Sequence, residues 1–277
     1  MAERPWAGVA VAVDPVGARV ACALEDRVVL GALPDLGPGR TLDVPGALQL
    51  AFVPGRRWLA GAGEGWVAVS ALDRPRRTSP PLFVRTRGPT RIAVSPGGGL
   101  LAAAGRVSLP RATLGVWDLE RRRQAWSASV LGAGCAEWLD GRLLAVGGRD
   151  LRLFSHEGEQ VRAAAAPGGR PIEALAAGPA VLVSAGREPA AALWDPVRVS
   201  PRGNVPIPAG AGRSLTVDGR TLAAGTLRAG GAVALVDLRR GTVDRVLLGA
   251  RAAAFARPYL VVTGKAGTAV YEWDPEA

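Results

Sequence analysis

This chain of 277 residues has few of the side chains that most often carry out chemistry. It contains one histidine, His156, one lysine, Lys265, and two cysteines, Cys22 and Cys135. Neither cysteine has a second Cys or a His at the spacing of a zinc site or a redox pair. We therefore expect two small buried thiols, and we predict no metal and no cofactor.

Long apolar runs are also absent. The N-terminal segment MAERPWAGVAVAVDP has only a short apolar stretch before Asp14, which is too short for a signal peptide. No run approaches the roughly 18 apolar residues of a membrane-spanning helix. The motifs GxSxG and HExxH and the P-loop sequence are missing as well. These absences predict a soluble cytoplasmic protein with no membrane partner and no recognisable enzymatic motif.

The charge of the chain is strongly one-sided, with a net charge of +10. Nearly all of the basic residues are arginine, and Ala, Gly and Pro are abundant beside them. We attribute this bias first to a GC-rich genome. The basic charge is then a weak indicator of a nucleic-acid partner, which the composition permits without favouring.

The chain does contain an internal repeat. An apolar residue that ends a strand just before a turn recurs at intervals of 38 to 45 residues. These strand ends are Val13, Val53, Val94, Leu139, Ala177, Val217 and Ala256. A second, independent marker is an apolar strand such as LGVWDL or VALVDL, and it also appears seven times. The chain is therefore built from seven similar units.

Each unit has the pattern of four short strands. Apolar residues alternate with a period of two, turn residues recur about every ten residues, and nothing long has helical periodicity. In the third unit the predicted strands are TRIAVSP, LLAAAG, ATLGVWDL and RQAWSASVL. A small sheet with two apolar faces must stack against others to bury both. The sequence predicts an all-β, seven-bladed β-propeller of four-stranded antiparallel blades, as a single domain over residues 1–277.

Three of the repeated strands end in Trp-Asp, at Trp117-Asp118, Trp194-Asp195 and Trp273-Asp274. This dipeptide resembles that of WD40 repeats. WD40 repeats usually also carry a Gly-His pair, but the single histidine here, His156, ends a third strand instead. The chain is therefore identified as similar to a divergent, bacterial-type WD40-like propeller. The resemblance implies a repeat protein that serves as a protein–protein interaction scaffold.

Closure of the last blade needs a fourth strand, which the N-terminus commonly supplies in this family. We predict that residues 2 to 6 lie weakly along the outside of the last blade, and that Trp6 fills the seam. Trp117, Trp138, Trp194 and Trp273 are expected between blades. Glu272 stands where the other repeats have an aliphatic residue, so it either pairs with an arginine or faces water.

The predicted channel-lining strands offer two carboxylates, Glu137 and Glu173, with Arg91 and Arg213 nearby. They are either a general acid/base pair or, more in keeping with the arginines, a structural ring of ion pairs. His156 is expected at the surface. Several aspartates fall in turns, where Asp accepts backbone hydrogen bonds; these are Asp14, Asp140 and Asp218. We predict no catalytic residue and no enzyme.

Candidate partner-binding residues are an arginine patch, a loop and one tryptophan. The patch comprises turns of the second and third blades, with Arg74, Arg76, Arg77, Arg121, Arg122 and Arg123. Guanidinium groups match phosphates and carboxylates, although turns lined with arginine are also simply solvated. The loop GRVSLPRATL, with Arg106 and Arg111, is a candidate contact on the opposite face, and Trp66 is expected to be partly exposed.

Three functions remain open. The first is a non-enzymatic scaffold for an unidentified protein partner in a bacterial cytoplasmic assembly, either as a monomeric disc or as a subunit of a hetero-complex. The second is binding of nucleic acid or another polyanion through the arginine patch. The third is a propeller hydrolase that uses Glu137 and Glu173.

Overall fold

The computed structural model describes most of the chain: residues 2–14, 16, 19–37, 39–73, 82–105, 112–208, 214–226 and 231–274. For residues 2, 82–89, 112 and 113 it describes the backbone alone. Arg74, Arg76, Arg77, Arg106, Arg111 and Arg213 lie outside the described residues.

The described chain is almost entirely β-structure, with one short 3-10 helix at Pro167–Gly169. The strands of its first half are β1 (Ala2–Arg4), β2 (Ala10–Val13), β3 (Arg19–Ala23), β4 (Val28–Ala32), β5 (Arg40–Leu42), β6 (Ala47–Val53), β7 (Trp58–Ala71), β8 (Leu82–Val94), β9 (Leu100–Gly105), β10 (Ala112–Asp118) and β11 (Arg123–Val130). Those of the second half are β12 (Cys135–Trp138), β13 (Leu143–Gly147), β14 (Asp150–Ser155), β15 (Gln160–Ala165), β16 (Ala174–Gly178), β17 (Val181–Ala185), β18 (Ala190–Trp194), β19 (Pro201–Pro206), β20 (Ser214–Asp218), β21 (Thr221–Thr226), β22 (Ala232–Asp237), β23 (Thr242–Leu248), β24 (Ala250–Ala256), β25 (Tyr259–Gly264) and β26 (Gly267–Glu272).

These strands form antiparallel sheets arranged as a β-propeller. Five sheets have four strands, in the orders β2-β3-β4-β5, β12-β13-β14-β15, β16-β17-β18-β19, β20-β21-β22-β23 and β24-β25-β26-β1. The sixth has six strands, β6 to β11 in sequence. The innermost strands contact one another around a closed circuit, from β2 through β6, β8, β12, β16 and β20 to β24 and back to β2.

The prediction of seven separate blades is wrong, because the described residues form six hydrogen-bonded sheets. The difference lies in the second and third repeats, which share the six-stranded sheet. Residues 58–63 of β7 pair with β6, while residues 64–69 pair with β8. Strand β8 in turn pairs with β7 through residues 82–89 and with β9 through residues 90–94. Continuous strands thus join two repeats that the sequence suggested were separate.

Strand β7 reverses direction within its length. The amide of Leu72 donates a hydrogen bond of 2.7 Å to the carbonyl of Arg57, so its two ends lie side by side. Gly65, near its middle, has φ of +83°, a conformation that glycine adopts without strain. Seven hydrophobic clusters fill the spaces between neighbouring repeats. The seven sequence repeats therefore bury seven clusters while forming six sheets.

Sheet packing near the centre of the ring depends on small residues. Buried alanines recur on the innermost strands, as at Ala12, Ala93 and Ala136, whereas Leu144 and Trp194 are buried farther out. Sheets that radiate from an axis lie closest together near that axis, so small side chains fit there and large ones fill the wider gaps. The alanine-rich composition thus has a structural use beyond codon bias.

The seam between the first and last sheets involves the N-terminal residues. Strand β1 pairs antiparallel with β26, with Ala2 opposite Val270 and Arg4 opposite Thr268. The Trp6 ring packs at this seam against a cluster that contains Val270. Behind it, the Sγ of Cys22 lies 3.3 Å from the hydroxyls of Thr263 and Thr268. The last sheet, the first sheet and the N-terminal segment therefore meet in one buried contact.

Candidate functional site

The aspartates of two of the Trp-Asp dipeptides, Asp118 and Asp195, close turns. Oδ1 of Asp118 accepts hydrogen bonds of 2.9 Å from the amides of Glu120 and Arg121. Asp195 accepts from the amides two and three residues later in the same way, at 2.9 and 2.8 Å. Asp237, in the weakened copy Val-Asp, does so at 2.7 and 3.0 Å. Side chains used in this way shape the turn between the third and fourth strands of a sheet.

The pKa values of these carboxyls are lowered by the same contacts. The backbone hydrogen bond from Arg198, followed by the side-chain hydrogen bond from Arg202 at 2.7 Å, lowers the pKa of Asp195 to about 2. The pKa of Asp118 is lowered chiefly by the Arg121 amide and side chain, and that of Asp237 by the Arg240 amide. These aspartates are fixed anions of the turns and are poorly suited to proton transfer.

The turn aspartates predicted from sequence have mixed outcomes. Asp140 accepts from the amides of Arg142 and Leu143 at 2.7 and 2.8 Å, and Asp14 accepts from the Val16 amide at 3.1 Å, which confirms both. The carboxylate of Asp218 instead binds the guanidinium of Arg257 at 2.8 Å, across to the next sheet.

Of the predicted arginine patch, only Arg121, Arg122 and Arg123 lie within the described residues. Arg121 forms an ion pair of 2.6 Å with Asp118 in its own turn. Arg122 and Arg123 are exposed and form no ion pair with a described residue. Whether Arg74, Arg76 and Arg77 join them stays a prediction.

The neighbouring turn is tied to this one. Arg56 reaches Glu120 with an ion pair of 2.6 Å, and its guanidinium stacks 4.7 Å above the Trp58 ring. Turns of two repeats are thereby held together. Because Glu120 is paired with Arg56, it is not paired with Arg122 or Arg123, and these two guanidiniums can bind a ligand or water.

The tryptophans are packed, but their indole donors differ. Trp138 and Trp194 are buried, and Trp194 Nε1 donates a 2.8 Å hydrogen bond to the buried hydroxyl of Ser184. Trp273 packs 5.5 Å from the Phe255 ring, yet its Nε1 is buried with no hydrogen-bond partner in the described part of the chain. His156 lies at the surface beside Glu157, 2.8 Å away, as predicted. The histidine network of WD40 repeats is absent from the described residues.

Trp66 is half-buried. Its ring lies against Gly61 and Gly63, where a Cβ would be in contact with the indole, and it packs on a cluster that includes Leu50. The predicted partial exposure is confirmed. Its contacts are those of a packing residue, and any partner contact through the exposed part is a prediction.

The two channel carboxylates have different environments. Glu173 pairs with Arg187 at 3.1 Å, a partner that the sequence did not suggest. Glu137, on β12, makes no hydrogen bond or ion pair with a described residue, and burial raises its pKa to about 8. Arg91, Glu137 and Glu173 all act electrostatically on Cys135, so they lie in one region. Burial raises the pKa of the Cys135 thiol to about 12, and Cys22 is also free and buried.

A surface that the sequence did not reveal lies on the outer rim, between β23 and the last sheet. Two cavities of about 430 and 250 Å³ lie there and share Leu247 and Tyr271. We call this surface the rim groove; Arg245, Leu247, Leu248, Tyr271, Glu272 and Trp273 line it. Glu272 is exposed and lines the smaller cavity together with Arg245.

The outer strand beside the rim groove is unusually apolar for an exposed strand. Its side chains of Val243, Val246 and Leu248 are 39%, 46% and 85% exposed. The sequence TVDRVLL alternates too weakly to show this in advance. The tertiary position of β23 on the edge of its sheet is what leaves these side chains uncovered.

In the described part, no three or more His, Cys, Asp or Glu side chains are arranged to hold a metal ion. No helix among those residues is long and apolar enough to cross a membrane. No family model matches the chain, and no curated protein sequence matches it significantly.

Proposed function

We propose that this protein is a non-enzymatic scaffold that binds another protein through the outer rim of its propeller. The observation that supports the proposal is the row of exposed aliphatic side chains on β23 beside the rim groove. Exposed apolar surface beside a groove is typical of protein-binding sites. The closed ring beneath it supplies a rigid support, so binding costs little conformational entropy.

The proposal also includes a bacterial cytoplasmic location and a relationship to WD40-like propellers. A cytoplasmic location is supported by the two free, buried thiols, and the bacterial source rests on the resemblance of the repeats alone. The WD40-like relationship is supported by the shared turn geometry of Asp118, Asp195 and Asp237. Both are parts of the same hypothesis.

Site-specific photo-crosslinking in the native cell tests the proposal. A benzoylphenylalanine is placed at Leu248 on the rim, at Arg122 in the arginine turn, and at Val197 as a control. Val197 is an apolar position that is 70% exposed away from the rim groove. We expect a discrete protein adduct from position 248 that is weak or absent from 197. Adducts from none of the three positions would contradict a scaffold role.

Polyanion binding is a second candidate, which the two unpaired guanidiniums of Arg122 and Arg123 favour. Elution from heparin at increasing salt tests it, because each phosphate contact adds to the salt dependence. We compare Arg122→Glu/Arg123→Glu with Arg149→Glu/Arg162→Glu, which changes the net charge equally. Earlier elution of the first variant alone supports a local site, and equal shifts indicate general charge only.

A further inference from the structure

Strand β23 is the outermost strand of its sheet, and no described strand pairs with its outer edge. In an antiparallel pair, alternate residues direct their backbone groups toward the partner strand and away from it. The amide of Gly249 donates to the carbonyl of Gly231 at 3.0 Å, which fixes this alternation on the β22 side. By the register of the pair, Val246 and Leu248 therefore direct their N–H and C=O groups outward.

Edges of this kind are usually protected. Proline, charged side chains and very short strands prevent an edge from pairing with other chains. Strand β19 carries Pro201 and Pro206, and β1 and β5 have only three residues each. Strand β23 has seven residues, no proline, and three exposed branched aliphatic side chains. The outer strands β11 and β15 also lack proline, but β11 exposes no large aliphatic side chain and β15 exposes only Val161. Among the outer strands named here, β23 is therefore the one best suited to accept another strand.

The charge on this edge selects the occupant. Arg245, at the centre of β23, is exposed, lines the smaller cavity of the rim groove, and forms no ion pair with a described residue. Its neighbour Asp244 accepts a hydrogen bond of 3.2 Å from Thr242 in the same strand. Glu272 lines the same cavity but forms no ion pair with Arg245, so an incoming strand with a carboxylate opposite Arg245 would supply a closer counter-charge.

A second copy of this chain fits the edge poorly. Two identical strands that pair antiparallel about a two-fold axis with full overlap place the central residue opposite itself. For β23 that residue is Arg245, and like charges directly opposite each other destabilise a strand pair. A different chain with an acidic centre avoids the repulsion.

We propose that an extended segment of a partner protein adds as a strand to the outer edge of β23. Its backbone pairs with Val246 and Leu248, an acidic side chain at its centre meets Arg245, and its aliphatic side chains contact the rim groove beside Leu247 and Tyr271. This is β-strand addition, in which backbone hydrogen bonds supply affinity and side-chain contacts supply specificity. The inference rests on the proposed scaffold function and specifies its partner.

Fluorescence anisotropy with labelled synthetic peptides tests the inference. The probe is the acetylated peptide Val-Thr-Val-Glu-Val-Thr-Val amide, and the matched probe has Lys in place of Glu. We expect micromolar binding of the Glu peptide and at least tenfold weaker binding of the Lys peptide. Methylation of alternate backbone nitrogens on the pairing edge should abolish binding, because it removes the amide hydrogens that β23 accepts.

Charge exchange identifies the site. Arg245→Glu should reverse the preference, so that the Lys peptide binds better than the Glu peptide. Arg162→Glu is the control, since Arg162 is exposed on β15, another outer strand. It should leave the preference unchanged. Far-ultraviolet circular dichroism verifies that both variants fold.

Several results would overturn the inference: no binding of either peptide, equal binding of both, binding that survives amide methylation, or an equal effect of Arg162→Glu. A dimer of the free protein that Arg245→Glu abolishes would show that a second copy occupies the edge. If the peptides fail while Leu248 still gives a protein adduct in cells, the scaffold function stands and only strand addition is rejected. Failure of both experiments rejects the function itself.

Discussion

Two tryptophans in comparable strands should differ in their response to the same substitution. Trp194 and Trp273 each precede an aspartate at the end of a third strand. The Nε1 of Trp194 donates to Ser184 at 2.8 Å, whereas the Nε1 of Trp273 is buried without a partner among the described residues. Replacing either by phenylalanine removes the indole donor and makes the ring smaller.

For Trp194→Phe, the lost hydrogen bond and the smaller ring both lower the free energy of unfolding. The Ser184 hydroxyl, only 3% exposed as a residue, loses its partner, which costs about 1–3 kcal/mol of the free energy of unfolding. The smaller ring leaves unfilled volume beside Leu182 and Ile172, which costs roughly another 1 kcal/mol. We expect a total loss of about 2–4 kcal/mol.

For Trp273→Phe, the loss of the donor and the smaller ring change the free energy of unfolding in opposite directions. Removing an unpaired buried donor recovers about 1–3 kcal/mol, and the reduced contact with Phe255 costs a comparable amount. We expect a change within about 1 kcal/mol of zero. Urea unfolding followed by far-ultraviolet circular dichroism measures both variants with one probe. Equal losses in the two variants would refute the reasoning, because the hydrogen-bond difference would then have no energetic consequence.

Three further predictions follow from single contacts. Gly115→Ala should lower the free energy of unfolding by about 1–3 kcal/mol, because the added Cβ would overlap the Trp117 ring. Gly99→Ala is the control: the position of its Cβ has open space around it, so the same urea titration should show no change. Glu137→Gln should flatten the pH dependence of stability. Because the folded-state pKa of Glu137 is raised to about 8, the wild type should lose stability as pH rises from about 4.5 to 8, by at most about 1.4 kcal/mol per pH unit. A wild-type stability that does not fall over this pH range would contradict the prediction. Asp195→Asn keeps an acceptor for the turn but removes the charge. Because hydrogen bonds from the Arg198 amide and then the Arg202 side chain lower the folded-state pKa of Asp195 to about 2, the stability lost between pH 4 and pH 2 should be smaller in the variant than in the wild type. Thermal melts across that range measure the difference, and unchanged acid sensitivity would contradict the lowered pKa of Asp195.

The sequence predicted the local structure of the repeats well. The four strands expected in the third repeat correspond to the last part of β8 and to β9, β10 and β11. This success reflects period-two patterning and turn residues, which act over a few positions. The predicted number of sheets was wrong because this number depends on whether strands continue through a repeat boundary, as β7 and β8 do.

The candidate site could not be predicted in the same way. Strand β23 has ordinary strand composition, and its exposure arises only because it lies on the outer edge of one sheet and faces a groove in the next. Likewise, the packing of Trp117 over Gly115 requires the side-chain direction in the folded sheet. The arginine clusters were visible in sequence, but their pairing was not, since Arg56 binds a residue 64 positions away.

We predict that the pairing of β1 with β26 holds the ring closed at the seam between the first and last sheets. The most direct test of this prediction is the rate at which a thiol reagent modifies Cys22, buried at the seam, with Cys135, buried between two other sheets, as the internal reference. Deletion of residues 2–5 removes the pairing of β1 with β26. We predict that Cys22 then reacts at least tenfold faster while Cys135 keeps its rate. An unchanged rate at Cys22, or an equal increase at both thiols, would contradict a ring locked at this seam.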